Sequence, residues 1–459
     1  MVQTLVVNLV QTLVHLIMNY TLNSLIIKDL HMLAISSFQN LTEGQLLAIL
    51  IARSFDYTRN SRKCKAISDQ DFINFGIERV MGEYCSGRDF LQYKNEIDGA
   101  GIARATFFNS LDSSRRLSLI EDISKAFNND IDNYMKSFGT DYLRDFPEIG
   151  NYQVYSGDGH YIDHASHTEK DASGKNYAAG TLYIQDIRTG LISPLATITD
   201  GNQKSHEIPI FRDAVDALPK SDLKKTLWIL DRAYVDKNWW PQKIKDGQHV
   251  IVRVKKNAVL TPCDDIAFDA SLEVNTGVTR FYNAKMGRNP GEEDAEHRII
   301  EYTDPEKGRK YQFVCTVDHI EPGLVAWLYF LRWRIEKAFD NLKNDFFEQK
   351  AWATKQTALK MHSSVIAMVY NFMRLIKEYL HSEEGIVDEK VNKKYEKELV
   401  KREQKAKKTG RFIHPFMKKL TRMPKLSAQF IRTLKYHFQR NIRIRDLIPK
   451  FRKSMLYYF

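Results

Sequence analysis

The stretch Tyr329-Phe-Leu-Arg332-Trp-Arg-Ile-Glu336-Lys-Ala-Phe-Asp-Asn-Leu-Lys343 spaces a hydroxyl, a guanidinium, a carboxylate and an ammonium as a helix would. On a helix turning ~100° per residue, these four side chains fall in one narrow stripe. Leu328, Leu331, Ile335, Leu342 and Phe346 cluster beside it as a buried face, while Arg334, Lys337, Asn341 and Asp345 are expected to point toward water. The stripe therefore runs along the margin of a core, where a cleft would lie. Arg332 and Glu336 are an i,i+4 pair, and a plain ion pair is the commonest fate of such neighbours. A second use is open to them. A hard cation takes several carboxylates from separate elements, with cations nearby to receive phosphate. Two further acids are placed for that chemistry: Asp158, in Gly157-Asp-Gly159 at the expected end of a strand, and Asp231, directly after the apolar run Leu227-Trp-Ile-Leu230. Strand-end acids beside a helix-borne Glu are the arrangement of two-metal phosphoryl transfer.

The spacing Tyr-x2-Arg-x3-Glu-x6-Lys, met without a gap by Tyr329, Arg332, Glu336 and Lys343, resembles the signature of the IS4-type DDE transposases of insertion sequences. Asp158-Gly159 looks like that family's first acid, and Asp231-Arg-Ala-Tyr234 like its second, with Ala233 where the family often has Gly. The resemblance covers roughly residues 150–350. It implies an RNase H-like core in which Asp158, Asp231 and Glu336 hold two Mg²⁺ ions, for which Mn²⁺ would substitute. One ion would activate water or a DNA 3′-OH and the other would stabilise the leaving oxygen. The implied partner is double-stranded DNA, both transposon ends and target, gripped by a homodimer in the end-bound complex. Tyr329 and Arg332 would hold the phosphate of a distorted nucleotide, and Lys343 the backbone of the end. Trp333, about 40° from Tyr329 around the helix, would stack on an unstacked base or pack at the rim. Arg232 and Lys204 are weaker candidates for phosphate contacts.

The implied reaction is metal-dependent cleavage at insertion-sequence ends followed by strand transfer. Two alternatives are a catalytically inactive, transposase-derived DNA-binding protein and an RNase H-like nuclease without strand transfer. Intact acids speak against the first. The complete Tyr/Arg/Lys stripe speaks against the second, since a simple nuclease need not hold a specific end. A zinc site is a further candidate, because His160, His164 and His167 cluster with Asp158 and Asp163. His160 and His164 share a face only on a helix, however, and this segment reads as strand and turn. Hairpin residues, or residues bordering DNA, are the preferred reading.

These side chains need elements to hold them. Residues 34–150 read as helical, with apolar spacing over 41–54, 69–84 and 117–134. Gly99 and Gly101 precede a short segment, 103–111, in which Arg104, Thr106 and Asn109 suit a helix-turn-helix reader of DNA, and Phe107, Phe108 and Leu111 suit a bundle core. From 152 the pattern becomes strands over 152–158, 181–187 and 191–199, the last two joined at Thr189-Gly190. A helix over 206–218, a buried strand over 226–230, a helix over 236–245 and a strand over 249–254 follow, which is a mixed α/β sheet. Shorter strands at 298–302 and 312–317 mark a β insertion at about 257–320, before one long helix from Pro322 to about 347. The expected organisation is thus an apolar leader (1–33), a helical DNA-binding region (34–150), an RNase H-like α/β core with β insertion (151–350) and a helical basic C-terminal region (351–459).

Composition agrees with this outline. A net charge of +11 over 459 residues favours a polyanionic partner. The basic tail after 388, with Lys401, Arg402, Lys405, Lys407, Lys408, Arg411, Lys418, Lys419, Arg422 and Lys425 among aromatics, reads equally as a solvated face or a phosphate-gripping arm. Cys64, Cys85, Cys263 and Cys315 lie far apart without CxxC pairing, which fits a reducing, cytoplasmic setting and argues against a disulfide scaffold or a structural zinc site. Residues 5–27 are apolar, but a membrane span there would draw Asn8, Gln11, His15, Asn19 and Asn23 into lipid, so no membrane role is expected. The repeat of Val-Gln-Thr-Leu-Val at 2 and 10 suits no known period, and an appended leader with Met18 or Met32 as alternative starts is the expectation.

Overall fold

The computed structural model describes residues 40–54, 67–82, 84, 86–162, 179–198, 207–219, 225–255, 257–291, 293–346, 351–353, 355–386, 389–416 and 426–457. The apolar leader, Cys64, Cys85, Asp163, His164, His167, Lys204, Lys418, Lys419, Arg422 and Lys425 lie outside these residues. The N-terminal region is helical: α1 (Glu43–Ser54), α2 (Asp69–Met81), α3 (Gly87–Glu96), α4 (Arg104–Ser110) and α5 (Ser114–Ser137). Ser68, Ser86 and Ser113 set the starts of α2, α3 and α5, each accepting a first-turn backbone N–H. In α4 the two readings of the segment meet, because Phe107 is core while Arg104 and Asn109 face outward.

Next come β1 (Gln153–Ile162), β2 (Ala179–Asp186), β3 (Ile192–Ile198), α6 (Glu207–Asp216), β4 (Thr226–Leu230), α7 (Trp240–Lys245) and β5 (Gln248–Arg253), in the order expected. Helix α7 is shorter than the periodicity over 236–245 predicts. The Asp236 carboxylate accepts the N–H groups of Asn238 and Trp239, holding them in a turn, and Pro241 fixes the first helical turn. Then follow β6 (Leu260–Asp265), β7 (Val278–Met286), β8 (Glu296–Thr303) and β9 (Lys310–Cys315). The short polar strand β6 and the strand β7 were not expected from sequence. All join one nine-stranded sheet ordered β3-β2-β1-β4-β5-β9-β8-β7-β6. The pairs β1–β4 and β4–β5 are parallel and the others antiparallel. The β insertion therefore continues the core sheet through the β5–β9 pair.

Helices cover both faces of the sheet. Val154, Leu227, Ile229 and Ile251 pack beneath α8 (Pro322–Leu331), whereas Trp228, Leu230 and Val252 pack against Phe211 and Val215 of α6 and Trp240 of α7. The architecture is mixed α/β with helical regions before and after it, consistent with an RNase H-like core.

The single long helix expected from Pro322 is instead two, α8 and α9 (Trp333–Asn344). At Arg332 the hydrogen bonds shorten to three-residue spacing: Arg332 N–H donates to Tyr329 O at 3.2 Å and Ile335 N–H to Arg332 O at 3.1 Å. The break also divides a helix buried nearly all round from an amphipathic one. Two residues expected to face water do not. Arg334 donates to Ile187 O at 3.0 Å and lies over the Tyr142 ring, and Asn341 is buried and donates to Leu426 O at 3.1 Å. Layers distant in sequence cover that side of α9.

Helix α10 (Gln356–Ser382) is buried along most of its length and joins α1, α2, α5 and α9 in one hydrophobic cluster, together with residues of α12 (Ala428–Phe438) and α13 (Ile444–Tyr457); α11 (Glu389–Lys407) precedes these last two. Its fully buried Asn371 accepts from Ile192 N at 2.9 Å and donates to Ile192 O at 2.8 Å on strand β3. In the tail, Lys401, Lys405, Lys407, Lys408 and Arg411 are exposed, while Arg402 reaches both carboxylate oxygens of Glu306. Cys263 is exposed and Cys315 buried, both as free thiols. No helix of the described residues is long and apolar enough to cross a membrane.

Candidate active site

The parallel ladder between β1 and β4 runs from Gln153↔Thr226 to Ser156↔Ile229. Two residues beyond its last pair stand Asp158 on one strand and Asp231 on the other, at the same level of the sheet. This is the C-terminal edge of parallel strands, the place where open α/β sheets leave room for ligands. The two chains part there. Strand β1 continues against β2, with Asp158 opposite Tyr183, while β4 ends and Arg232–Tyr234 form a 3-10 turn.

Asp158 is thus not at a strand end in a glycine turn, as its flanking residues suggested, but within β1. The glycines serve another purpose, since they leave the opposite face of β1 open to α6. A Cβ at Gly157 would come 2.6 Å from the Phe211 ring, and one at Gly159 would come 2.9 Å from the Glu207 carboxyl carbon. Glycine in a strand here marks a close approach rather than a bend. On the Asp158 face the neighbours come from α9 and its junction with α8. Next along that face His160 is buried against Tyr183 and Phe339.

The break between α8 and α9 points Arg332 at the acids. Its guanidinium donates to Asp158 Oδ2 at 3.0 Å and to Glu336 Oε1 at 2.9 Å, and only 4% of the side chain is exposed. One turn earlier, the buried Tyr329 donates its hydroxyl to Asp231 Oδ1 at 3.0 Å. Tyr329 and Arg332 thereby connect the helix pair to both strand-borne acids, and Arg332 adds Glu336. The sequence stripe is realised, but with two of its members turned inward. Trp333 is 55% exposed, and Arg232 and Lys343 are exposed as well.

The charges in this cluster are unevenly balanced. Burial raises the Asp158 pKa to about 6; Arg332 opposes that rise, Glu207 adds to it, the Gly159 N–H resists it and Glu336 adds again. Burial opposes the charge on Arg332, yet Asp158, Tyr329, Asp231 and Glu336 raise its pKa above the usual value. Burial and then the Asp231 carboxylate push Tyr329 up to about 12. Among the described residues, no three His, Cys, Asp or Glu side chains converge as a metal-holding group. The cation between Asp158 and Glu336 is the Arg332 guanidinium.

Glu207 is the residue that sequence reasoning missed. It begins α6 and accepts a hydrogen bond from Tyr161 at 3.1 Å and another from Tyr234. Burial first, and Glu207 next, hold both phenols well above their ordinary range, so each remains a donor. The available signal was an acid in the first turn of the helix expected over 206–218.

Residues 164–372 match the family model of the transposase DDE domain. The match takes in Asp231, Tyr329, Arg332, Glu336 and Lys343 and begins six residues after Asp158. A DDE transposase domain implies DNA transposition and DNA binding, and it is the mark of a phosphoryl-transfer enzyme of a kind that generally uses divalent metal ions. No curated protein matches the chain.

Proposed function

We propose that the chain is an IS4-type insertion-sequence transposase that cleaves DNA at transposon ends and joins the freed 3′ ends to target DNA. Asp158, Asp231 and Glu336 are its catalytic acids. The observation that carries this reading is the shared level of Asp158 and Asp231 just past the parallel ladder, with Glu336 tied to Asp158 through one guanidinium. Carboxylates are the donors that a hard divalent cation takes; burial is the main cause of the raised Asp158 pKa, with Glu207 and Glu336 adding to it against Arg332, so a bound cation would favour the ionised form. These three acids would hold Mg²⁺, or Mn²⁺ in its place, and bound metal of this kind supplies an activated nucleophile and stabilises the leaving oxygen.

The chain's own residues bind and orient the end. Tyr329 and Arg332 now donate to carboxylates, and the same hydrogens would be offered to a phosphate of the distorted nucleotide. Exposed Trp333 would stack on an unstacked base, and Arg232, Lys343 and Lys204 would contact phosphates. The helical region 34–150 would bind DNA, residues 151–350 would perform the chemistry, the basic C-terminal region would grip phosphates, and two copies would assemble on paired ends.

The test is Mg²⁺-dependent nicking of DNA bearing the inverted repeats that flank the coding sequence. Asp158→Ala, Asp231→Ala and Glu336→Gln are each expected to abolish nicking while retaining DNA binding, since affinity comes mainly from phosphate contacts. Near wild-type nicking by any one of them removes that residue from the catalytic set.

A further inference from the structure

Hydrogen bonding between β1 and β4 stops at Ser156↔Ile229, so no ladder sets the distance between Asp158 and Asp231 beyond it. One side chain spans that gap. Glu207 accepts from Tyr161, three residues after Asp158, and from Tyr234, three residues after Asp231. Tyr234 in turn is fixed to its own strand end, its N–H donating to Asp231 O at 2.9 Å. Gly159 lets the carboxylate come this close, because any larger residue there would strike it. Tyr234 is buried and its ring packs edge-on against Phe211, one turn along α6 from Glu207.

We infer that Glu207 is a positioning residue, a clamp that holds the Asp158-bearing and Asp231-bearing segments at a set separation where the sheet no longer does. Both of its oxygens are committed to tyrosine hydroxyls, which suits a strut rather than a fourth ligand. The inference rests on the proposed function only for the statement that this separation matters to catalysis. The clamp itself stands on geometry.

The experiment uses the full chain and three variants: Glu207→Ala, Tyr161→Phe with Tyr234→Phe, and all three changes together. Hydrogen–deuterium exchange without metal or DNA reads the clamp directly. Glu207→Ala should speed exchange in peptides covering residues 231–235 and 158–162, and leave β4 and β5 protected. The tyrosine pair should do the same, and adding it to Glu207→Ala should change nothing further, since all three share one interaction. Mn²⁺ affinity and nicking rate should each fall roughly 10- to 100-fold, as for residues that orient metal ligands from behind, with melting temperature held. Unchanged exchange at both segments overturns the clamp. So does a uniform rise in exchange that tracks a lower melting temperature, which is ordinary structural damage. Complete loss of nicking in Glu207→Ala with exchange unchanged would make Glu207 a ligand and overturn the strut. If wild-type protein neither binds Mn²⁺ nor nicks DNA, the proposed function fails, and the exchange result still decides the clamp.

Discussion

Strand β4 buries all of its residues, whereas β6, five places along the same sheet, exposes nearly all of its own. The parallel half, β1-β4-β5, is covered on both faces and ends in acids at the level where its strands diverge. The antiparallel half, β9-β8-β7-β6, carries none of the candidate acids. Its buried face supports α8, against which Phe281, Ile300 and Phe313 pack, and α8 delivers Tyr329 and Arg332. One half of the sheet thus presents carboxylates, and the other fixes the helix that reaches them. Side-chain changes should accordingly cost most near the strand fork and least at the outer end of the extension.

The largest stability effect is expected from Gly157→Ala. The added methyl meets Phe211, which is fully buried among the rings of Trp228, Tyr234 and Trp239 and has no room to turn. Overpacking of this kind costs about 1–3 kcal/mol, readable as a fall in the denaturant midpoint at constant slope. A midpoint equal to wild type would show that α6 can move off β1, and would weaken the distinction between the two halves.

Asp158→Asn sharpens the comparison through pH. The folded pKa of Asp158, about 6, lies above that of an unfolded Asp. The folded state therefore binds the proton more tightly, and the stability linked to this carboxyl is lost as pH rises through that window. In metal-free buffer the Asn variant should exceed wild type by about 1–2 kcal/mol at pH 7.5, allowing for the partly exposed side chain. The gain should vanish near pH 4. A gain independent of pH would place its cause outside this carboxylate.

The smallest effect belongs to the extension. Arg402 of α11 grips Glu306 beside the β8–β9 turn, holding that carboxyl below its usual pKa, but both ends lie near solvent. Arg402→Ala should cost no more than about 1 kcal/mol of stability. A loss as large as that of Gly157→Ala would mean that the tail braces the sheet.

What the sequence disclosed follows the range of the interactions involved. The stripe of Tyr329, Arg332 and Glu336 was legible because helix geometry relates neighbours one turn apart. So was β4, whose run of four apolar residues, Leu227 to Leu230, admits little but a strand buried on both faces. The break at Arg332 was not, since its cation is directed at Asp158, 174 residues earlier. Arg334 and Asn341 were assigned to water because Ile187 O and Leu426 O, which receive their protons, are supplied by distant segments. Gly157-Asp-Gly159 has the composition of a turn, and only the approach of α6 reveals it as strand. Glu207 stayed unread for the same reason: its two tyrosines lie 46 and 27 residues away.

The hold of Asn371 on Ile192 has a consequence for the sheet's rim. A side-chain amide carries one donor and one acceptor face, as a peptide unit does. By taking both the N–H and the C=O of Ile192, Asn371 presents α10 to β3 as one residue's worth of a tenth strand. The opposite rim, β6, has no such mimic among the described residues and carries Pro262, Asp264 and Asp265, residue types that discourage another chain from adding on. The sheet is therefore closed at one margin by imitation and guarded at the other by residue type, and Asn371→Leu would leave the N–H and C=O of Ile192 buried without that partner under α10.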